Sequence, residues 1–177
     1  CRGGPGGVRR RPGRLGGLFD AEAAEELGIN FDTRSKMEVV DDLRREGHDA
    51  VPALFPQGFV ATQEDGTQKS ILSFNGAESL PLAGISNRLT VVCNESGQYV
   101  NYQSDEHGFN NPSRVWEMPL IDVAAVGDSY VHIWCVPLEK HFVTLIRNRY
   151  PATLNLGIEG NGPLTMLATI KEYAQVV

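Results

Sequence analysis

The stretch Val123-Ala-Ala-Val-Gly-Asp-Ser129 organises the chain, because a run of small and branched apolar residues ends abruptly in Gly-Asp-Ser. Such a run is typical of a strand buried on both faces. Gly127 permits a sharp turn out of that strand, and Ser129 then stands at its carboxyl end, where open α/β sheets bind their ligands. The alternative is ordinary turn chemistry, since Asp and Ser side chains bond to nearby backbone groups.

A helix and a second strand are predicted after the serine. Residues 137–150 have the apolar spacing of an amphipathic helix, which Pro151 ends. Its predicted apolar positions are Leu138, Phe142, Leu145 and Ile146. The segment Thr153-Leu-Asn-Leu-Gly-Ile-Glu-Gly160 then predicts a short strand that runs into a glycine-bearing loop.

A second helix is predicted over residues 163–177, and it begins at Pro163. Its apolar face consists of Leu164, Leu167, Ile170, Ala174 and Val177. Together these segments make a βαβα unit with parallel strands, so both loops open on the same edge of the sheet. Two strands cannot cover the second helix, and we therefore expect an exposed apolar patch at Leu164, Leu167 and Ile170.

Two of these segments resemble the first two sequence blocks of the SGNH, or GDSL, hydrolases. They are Ala125-Val-Gly-Asp-Ser-Tyr130 and Leu154-Asn-Leu-Gly-Ile-Glu-Gly160. The resemblance implies that residues 120–177 are the first βαβα half of a flavodoxin-like three-layer α/β domain. It implies a serine esterase acting on acyl or acetyl esters of lipids or carbohydrates. Ser129 would be the nucleophile, Ser129 and Gly160 would donate oxyanion-hole N–H groups, and Gly127 and Asp128 would support them.

The third block of the family, of Gly-x-Asn-Asp type, and its Asp-x-x-His block do not occur in the 177 residues. The general base and its orienting acid are therefore not present in the chain, and a serine hydroxyl needs such a base. We expect a catalytically impaired fragment of a longer bacterial parent protein. His132, three residues after Ser129, is a weaker candidate for a substitute base than for a solvent-facing or hydrogen-bonded loop histidine.

Composition limits the partners. The chain is 41% hydrophobic, enough for one good core. Its net charge is −6, and five arginines with no acid in residues 1–14 leave −11 on the remainder, which argues against nucleic acid as the main partner. No apolar run is long enough for a transmembrane helix. Membrane association and an extracytoplasmic location of the parent protein stay open, and the expected partner is a small-molecule, carbohydrate or lipid ester.

No cofactor or metal site is predicted. None of the four histidines has metal-ligand spacing with the cysteines. The three cysteines, Cys1, Cys93 and Cys135, do not establish an oxidising compartment, and a bond between Cys93 and Cys135 stays open.

Three parts are predicted: a disordered Gly/Arg-rich tail 1–17, an α+β N-terminal region 18–119, and the hydrolase part 120–177.

Helices are expected in the N-terminal region at Asp20–Leu27 and after the capping box Ser35-Lys-Met-Glu38. The second of these helices has an apolar stripe at Met37, Val40 and Leu43 and ends at Gly47. Strands are expected at Phe59–Thr62 and Ser70–Phe74, and a hairpin at Arg88–Val92 and Gln98–Tyr102. Phe109 and Trp116 are interpreted as packing residues.

Two other function classes remain beside the esterase. One is a non-catalytic carbohydrate- or protein-binding module in which the β-rich region 51–119 does the binding. The other is a flavodoxin-like domain whose glycine loops hold an anion, which Glu159 disfavours because its carboxylate would repel the ligand.

Overall fold

The computed structural model describes residues 24 and 26–174. These residues form a mixed α/β chain with four α-helices and small sheets of two or three strands. The predicted tail 1–17, five of the eight residues of the predicted helix Asp20–Leu27 and the last residues of the predicted helix 163–177 lie outside the described residues.

The first helix, α1 (Lys36–Arg45), begins at the predicted capping box. The Ser35 hydroxyl accepts a hydrogen bond from the Glu38 N–H at 3.3 Å, and the Glu38 carboxylate accepts one from the Ser35 N–H at 2.7 Å. The buried side of the helix is formed by Val39 and Val40, whereas Met37, predicted in the apolar stripe, is exposed. The predicted end before Gly47 is confirmed.

Short strands follow α1. They are β1 (Ala50–Pro52), β2 (Val60–Thr62), β3 (Gln68–Ser70), β4 (Ser73–Phe74) and β5 (Ala77–Glu78). The pairs β2–β3 and β4–β5 are separate antiparallel hairpins. The predicted single strand Ser70–Phe74 is wrong, because β3 ends at Ser70 and β4 begins at Ser73. The Ser70 hydroxyl accepts a hydrogen bond from the Leu72 N–H and donates one to the Ser79 carbonyl.

The predicted hairpin is confirmed as β6 (Leu89–Cys93) and β7 (Val100–Gln103), which pair antiparallel. β1 pairs parallel with β6, so these three strands form one sheet in the order β1-β6-β7. The buried Val39 and Val40 of α1 pack against Ala50 and Val91 on this sheet.

The predicted βαβα unit is present. Its elements are β8 (Val123–Gly127), α2 (Ser129–His132), a 3₁₀ turn (Leu138–Lys140), α3 (Phe142–Arg147), β9 (Thr153–Gly157), α4 (Pro163–Thr169) and a π-helical turn (Ile170–Ala174). β8 and β9 pair parallel, from Val123 opposite Thr153 to Gly127 opposite Gly157. Every residue of β9 is buried, but Ala124 in β8 is exposed, so the prediction that β8 is buried on both faces is wrong. β8 has only one neighbouring strand among the described residues.

The predicted apolar face of α3 is turned largely outward. Leu138, Phe142 and Leu145 are exposed, and the buried apolar residue of the helix is Val143. The prediction of one helix over residues 137–150 is confirmed only for Phe142–Arg147, because Leu138–Lys140 form a separate 3₁₀ turn. The predicted direction of the apolar face is wrong. On α4 and the π-helical turn after it, the exposed patch predicted at Leu164, Leu167 and Ile170 is confirmed, with Leu164 84% exposed.

Two apolar clusters join the N-terminal region to the βαβα unit. One packs Val92, Val100 and Tyr102 against Ile133, and a disulfide between Cys93 and Cys135 crosses it with a Cα–Cα distance of 5.4 Å. The other packs Phe109 and Val115 against the strand residues Leu154 and Leu156, with Trp116 at its edge. Phe109 and Trp116 are thus packing residues, as predicted, and the pairing of Cys93 with Cys135 is settled in favour of a bond.

Candidate functional site

Ser129 is the first residue of α2 and lies directly beyond the carboxyl end of β8. Asp128 is the residue before the helix, and its carboxylate accepts a hydrogen bond from the Tyr130 N–H at 3.1 Å. The Ser129 side chain is half-buried, while Tyr130 beside it is exposed. The turn therefore presents the serine at the edge of the parallel sheet, with Asp128 as its cap.

Gly127 and Gly157 make room for this turn. They face each other at the end of the β8–β9 pair. A Cβ at Gly157 would lie 2.6 Å from the main-chain carbon of Val131, and a Cβ at Gly127 would collide with the Val131 side chain. Gly127 does not have a positive φ, so it is required for space between α2 and the strand ends and not for the sharp turn that the sequence suggested.

Asn155, buried in the middle of β9, holds α2 against the sheet. Its Nδ2 donates to the Val131 carbonyl at 2.7 Å, and its Oδ1 accepts from the Gly157 N–H at 2.9 Å. A buried amide is stabilising only when it is hydrogen-bonded, so an asparagine inside an apolar strand was itself a signal of a local role.

The chain leaves α2 through a strained turn. Ile133 has φ of +124° and Cys135 has φ of +52°. A β-branched residue rarely adopts a positive φ, and such strain is held by surrounding contacts. Ile133 is buried in the first cluster and Cys135 is in the disulfide, so both positions are held in place.

Gly160 lies in the exposed loop after β9 with φ of +75°, a conformation that favours glycine. The Gln57 amide, from a 3₁₀ turn at Pro56–Phe59, donates a hydrogen bond to the Gly160 carbonyl. The neighbouring Asn161 is only 5% exposed, and neither polar atom of its side chain has a partner among the described residues. The N-terminal region thus contacts the loop that carries Gly160.

The N–H groups of Ser129 and Gly160 donate to no acceptor among the described residues. The Ile158 N–H, between the two loops, donates to the Gly127 carbonyl at 3.2 Å. That bond places the start of the Gly160 loop against the end of β8. The convergence of the two amides on one point stays a prediction.

His132 is buried, 1% exposed, and its Nε2 lies 2.8 Å from the Tyr102 hydroxyl. Burial lowers the pKa of His132 to about 4, helped by the nearby charges of His141 and Lys36. The solvent-facing alternative is wrong. The contacts of His132 also do not favour it as a substitute base for Ser129. Among the described residues its Nε2 is hydrogen-bonded to Tyr102 and not to Ser129.

His141 precedes α3 and is also buried. Its Nε2 donates to the Tyr130 carbonyl at 3.0 Å, since a carbonyl oxygen can only accept. Burial lowers the pKa of His141, partly offset by that hydrogen bond. Burial therefore favours the uncharged form of both histidines near the turn.

Glu159 and Lys36 lie near each other beside the Gly160 loop. Burial raises the pKa of Glu159 and lowers that of Lys36, and in each case the opposite charge of the other residue reduces the change. The Lys36 ammonium also lies over the Trp134 ring, 5.8 Å from its centre. The Glu159 Oε2 is buried with no hydrogen-bond partner among the described residues.

The loop 104–116 is organised by the buried carboxylate of Asp105. Its Oδ1 accepts from the N–H groups of His107 at 2.9 Å and Phe109 at 2.8 Å. Its Oδ2 accepts from Asn111 Nδ2 and Trp116 Nε1, each at 2.8 Å. Four donors satisfy the buried carboxylate, so Asp105 is a structural centre that no pattern in the sequence predicted.

Asn111 connects this loop to β9 and α3. Its Oδ1 accepts from the Asn155 N–H at 2.7 Å and from Arg147 Nη2 at 2.6 Å. Arg147 also donates through Nε to the Thr153 carbonyl at 3.1 Å. Burial lowers the pKa of Arg147 to about 10, opposed by the charge of Asp105.

Within residues 24 and 26–174, no group of three or more His, Cys, Asp or Glu side chains is arranged to hold a metal ion. No helix in the same residues is long and apolar enough to cross a membrane. Comparison of the chain with protein-family models, curated proteins and solved structures found no match.

Proposed function

We propose that this chain carries the nucleophile of a serine ester hydrolase of the SGNH/GDSL type, belonging to a flavodoxin-like domain of its parent protein. The substrate class is an acyl or acetyl ester of a lipid or carbohydrate. The observation that supports the proposal is the position of Ser129, the first residue of α2, directly beyond β8 and beside the loop that leaves the parallel strand β9.

Two backbone amides are proposed to stabilise the oxyanion. Those of Ser129 and Gly160 have no acceptor among the described residues, and unpaired N–H groups aimed at a developing negative charge are the largest electrostatic contribution in acyl transfer. The Gln57 side chain, bound to the Gly160 carbonyl, helps to hold that loop. No cofactor takes part in the proposed reaction.

The proton acceptor for Ser129 is not assigned to any described residue. His132 and His141 are both buried and engaged with Tyr102 and Tyr130. Turnover by this chain is therefore expected to be slow, because nucleophilic serines depend on an adjacent base. The residual acceleration over water from an oxyanion hole and substrate binding alone is roughly 10³ to 10⁴-fold in a protease that lacks triad residues.

The disulfide between Cys93 and Cys135 supports an oxidising location. Disulfides persist outside the cytosol and are rare within it. We therefore favour an extracytoplasmic parent protein, consistent with lipid or carbohydrate esters as substrates.

The test combines covalent labelling with turnover. The chain is treated with a fluorophosphonate, the modified peptide is identified by mass spectrometry, and p-nitrophenyl acetate hydrolysis is measured with added imidazole as the base. We expect the label on Ser129 and imidazole-dependent turnover above that of Ser129→Ala. Ser86→Ala, an exposed serine outside the site, should retain both. Equal labelling and turnover in Ser129→Ala would remove the serine mechanism.

A further inference from the structure

A cavity of about 410 Å³ lies between the end of β7, the loop 104–113 and α3. This size falls within the range of small-molecule sites in proteins. Its polar wall contains Asn87, Gln103, Asn110, Asn111, Glu106 and Arg147. We call it the Arg147 cavity.

The Arg147 cavity is separate from the serine edge. Arg147 is bound to the carbonyl of Thr153, the first residue of β9, whereas Ser129 lies beyond the other end of the pair, where Gly127 faces Gly157. The two ends of β9 are four residue-to-residue steps apart, which at ~3.3 Å per step is about 13 Å.

Several polar groups in the cavity wall have no hydrogen-bond partner in the part of the chain that the structure describes. Asp105 and Asn111 are occupied by the hydrogen bonds described above. Arg147 uses Nε and Nη2, which leaves the two N–H groups of Nη1 without an acceptor among the described residues. Asn110 is buried and donates through Nδ2 to the His132 carbonyl, but no described residue donates to its Oδ1.

The rim adds groups of both kinds. The side chains of Gln103 and Glu106 are exposed and make no hydrogen bond to the described residues. Gln103 can donate and accept, and an ionised Glu106 only accepts. Donors and acceptors are thus both presented to a ligand, beside apolar surface from Leu138 and Pro112.

The charges on the wall select the class of ligand. Among the described residues, Arg147 is the one cationic residue that lines the cavity, and Asp105 and Glu106 are its two carboxylates. Because Asp105 is already bonded to four donors, a free anion would be repelled by Glu106 and a cation by the guanidinium. A neutral ligand with many hydroxyl groups avoids both costs, because each hydroxyl both donates and accepts. Its C–H faces can pack on Leu138 and Pro112. We propose that the Arg147 cavity binds a small neutral saccharide.

This inference does not depend on hydrolysis at Ser129. It gives a specific location to the carbohydrate-binding function that the sequence leaves open.

The probes are glucose, galactose, xylose and N-acetylglucosamine, tested by saturation-transfer NMR and titration with the whole chain. We expect at least one of them to bind in the millimolar range.

Two variants locate the binding. Gln103→Ala removes one neutral hydrogen bond and should weaken binding about five-fold, and Glu106→Gln removes a charge-assisted one and should weaken it about ten-fold. Both residues are exposed, so the fold should be kept, which tryptophan fluorescence would verify. Gln63→Ala, an exposed glutamine outside the cavity, is the matched control and should bind normally, as should Ser129→Ala.

Three results would overturn the proposal. The first is that none of the four sugars binds. The second is that a sugar binds but neither Gln103→Ala nor Glu106→Gln weakens it, or that Ser129→Ala abolishes it, which would place the ligand elsewhere. The third is preferential binding of sodium glucuronate over its neutral counterpart glucose, which would make the cavity an anion site.

Discussion

Acidification should destabilise the fold through His132. The imidazole is buried with its pKa lowered to about 4, from an ordinary value of 6.5. In the unfolded chain it takes up a proton as the pH falls below about 6.5, whereas in the folded chain it stays neutral until the pH approaches 4. The unfolded state therefore binds more protons in this window, and stability that is fully present above pH 6.5 is lost as the pH falls.

The size of the effect follows from the two pKa values. Each unit of difference corresponds to about 1.4 kcal/mol, so His132 should remove ~3 kcal/mol from the free energy of unfolding between about pH 6.5 and pH 4. That is a large fraction of the 5–15 kcal/mol typical of a domain. His141, whose pKa burial also lowers, adds to the slope.

The measurement is urea unfolding followed by the fluorescence of Trp116 and Trp134 across this pH range. His132→Gln retains a partner for the Tyr102 hydroxyl but does not titrate. The difference between the variant and the native chain reports on His132, because the carboxylates contribute equally to both and the charge of His141 is one of the causes of the low pKa of His132. His48→Gln, at an exposed histidine, is the matched control for replacing a histidine by glutamine.

The expected result is that the free energy of unfolding of the native chain falls by ~3 kcal/mol more than that of His132→Gln between neutral pH and about pH 4. Parallel curves for the native chain and His132→Gln would refute the reasoning, since they would mean that His132 titrates alike in the folded and unfolded states.

Two further outcomes concern the packing around the serine turn. Replacing both Cys93 and Cys135 by Ala should lower the free energy of unfolding by ~4 kcal/mol, because the bond closes a loop with a sequence separation of 42 residues. A melting temperature that is unchanged by the replacement or by a reductant would contradict this. Gly157→Ala should cost ~2–3 kcal/mol in urea unfolding, because its Cβ would lie 2.6 Å from the main-chain carbon of Val131, whereas Gly162→Ala, with no atom within 4 Å of the added Cβ, should not. Equal losses in the two glycine variants would show that space is not the reason.

Local signals in the sequence predicted the elements that depend on neighbouring residues. The capping box at Ser35 and Glu38 is such a signal, since both partners lie within one helical turn. The order of β8, α3, β9 and α4 also followed from the alternation of apolar runs with helical spacing and proline or glycine ends.

What could not be predicted depends on which surface each element meets. The spacing of Leu138, Phe142 and Leu145 indicated a helix but not that these side chains would face outward, because helical spacing does not specify the partner of a face. The separation of Ser70 from Ser73 into different hairpins came from side-chain hydrogen bonds to Leu72 and Ser79.

The surroundings of Ser129 were predicted only in part. Its position after β8 followed from the sequence pattern, but the contacts around it come from residues distant in the chain. Asn155 holds α2 through Val131, and Gln57 reaches the Gly160 loop across 103 positions. Such contacts leave no periodic signal in a single sequence.

The bond between Cys93 and Cys135 also determines what a single cut in the backbone does. It encloses residues 94–134, and this ring includes both the Asp105 loop and Ser129. Cleavage of any one peptide bond within the ring leaves the two pieces covalently joined. A protease-nicked chain would therefore migrate as one molecule until reduced, and a backbone opened at the exposed residues around Glu106 would keep Ser129 tethered to the β6–β7 sheet.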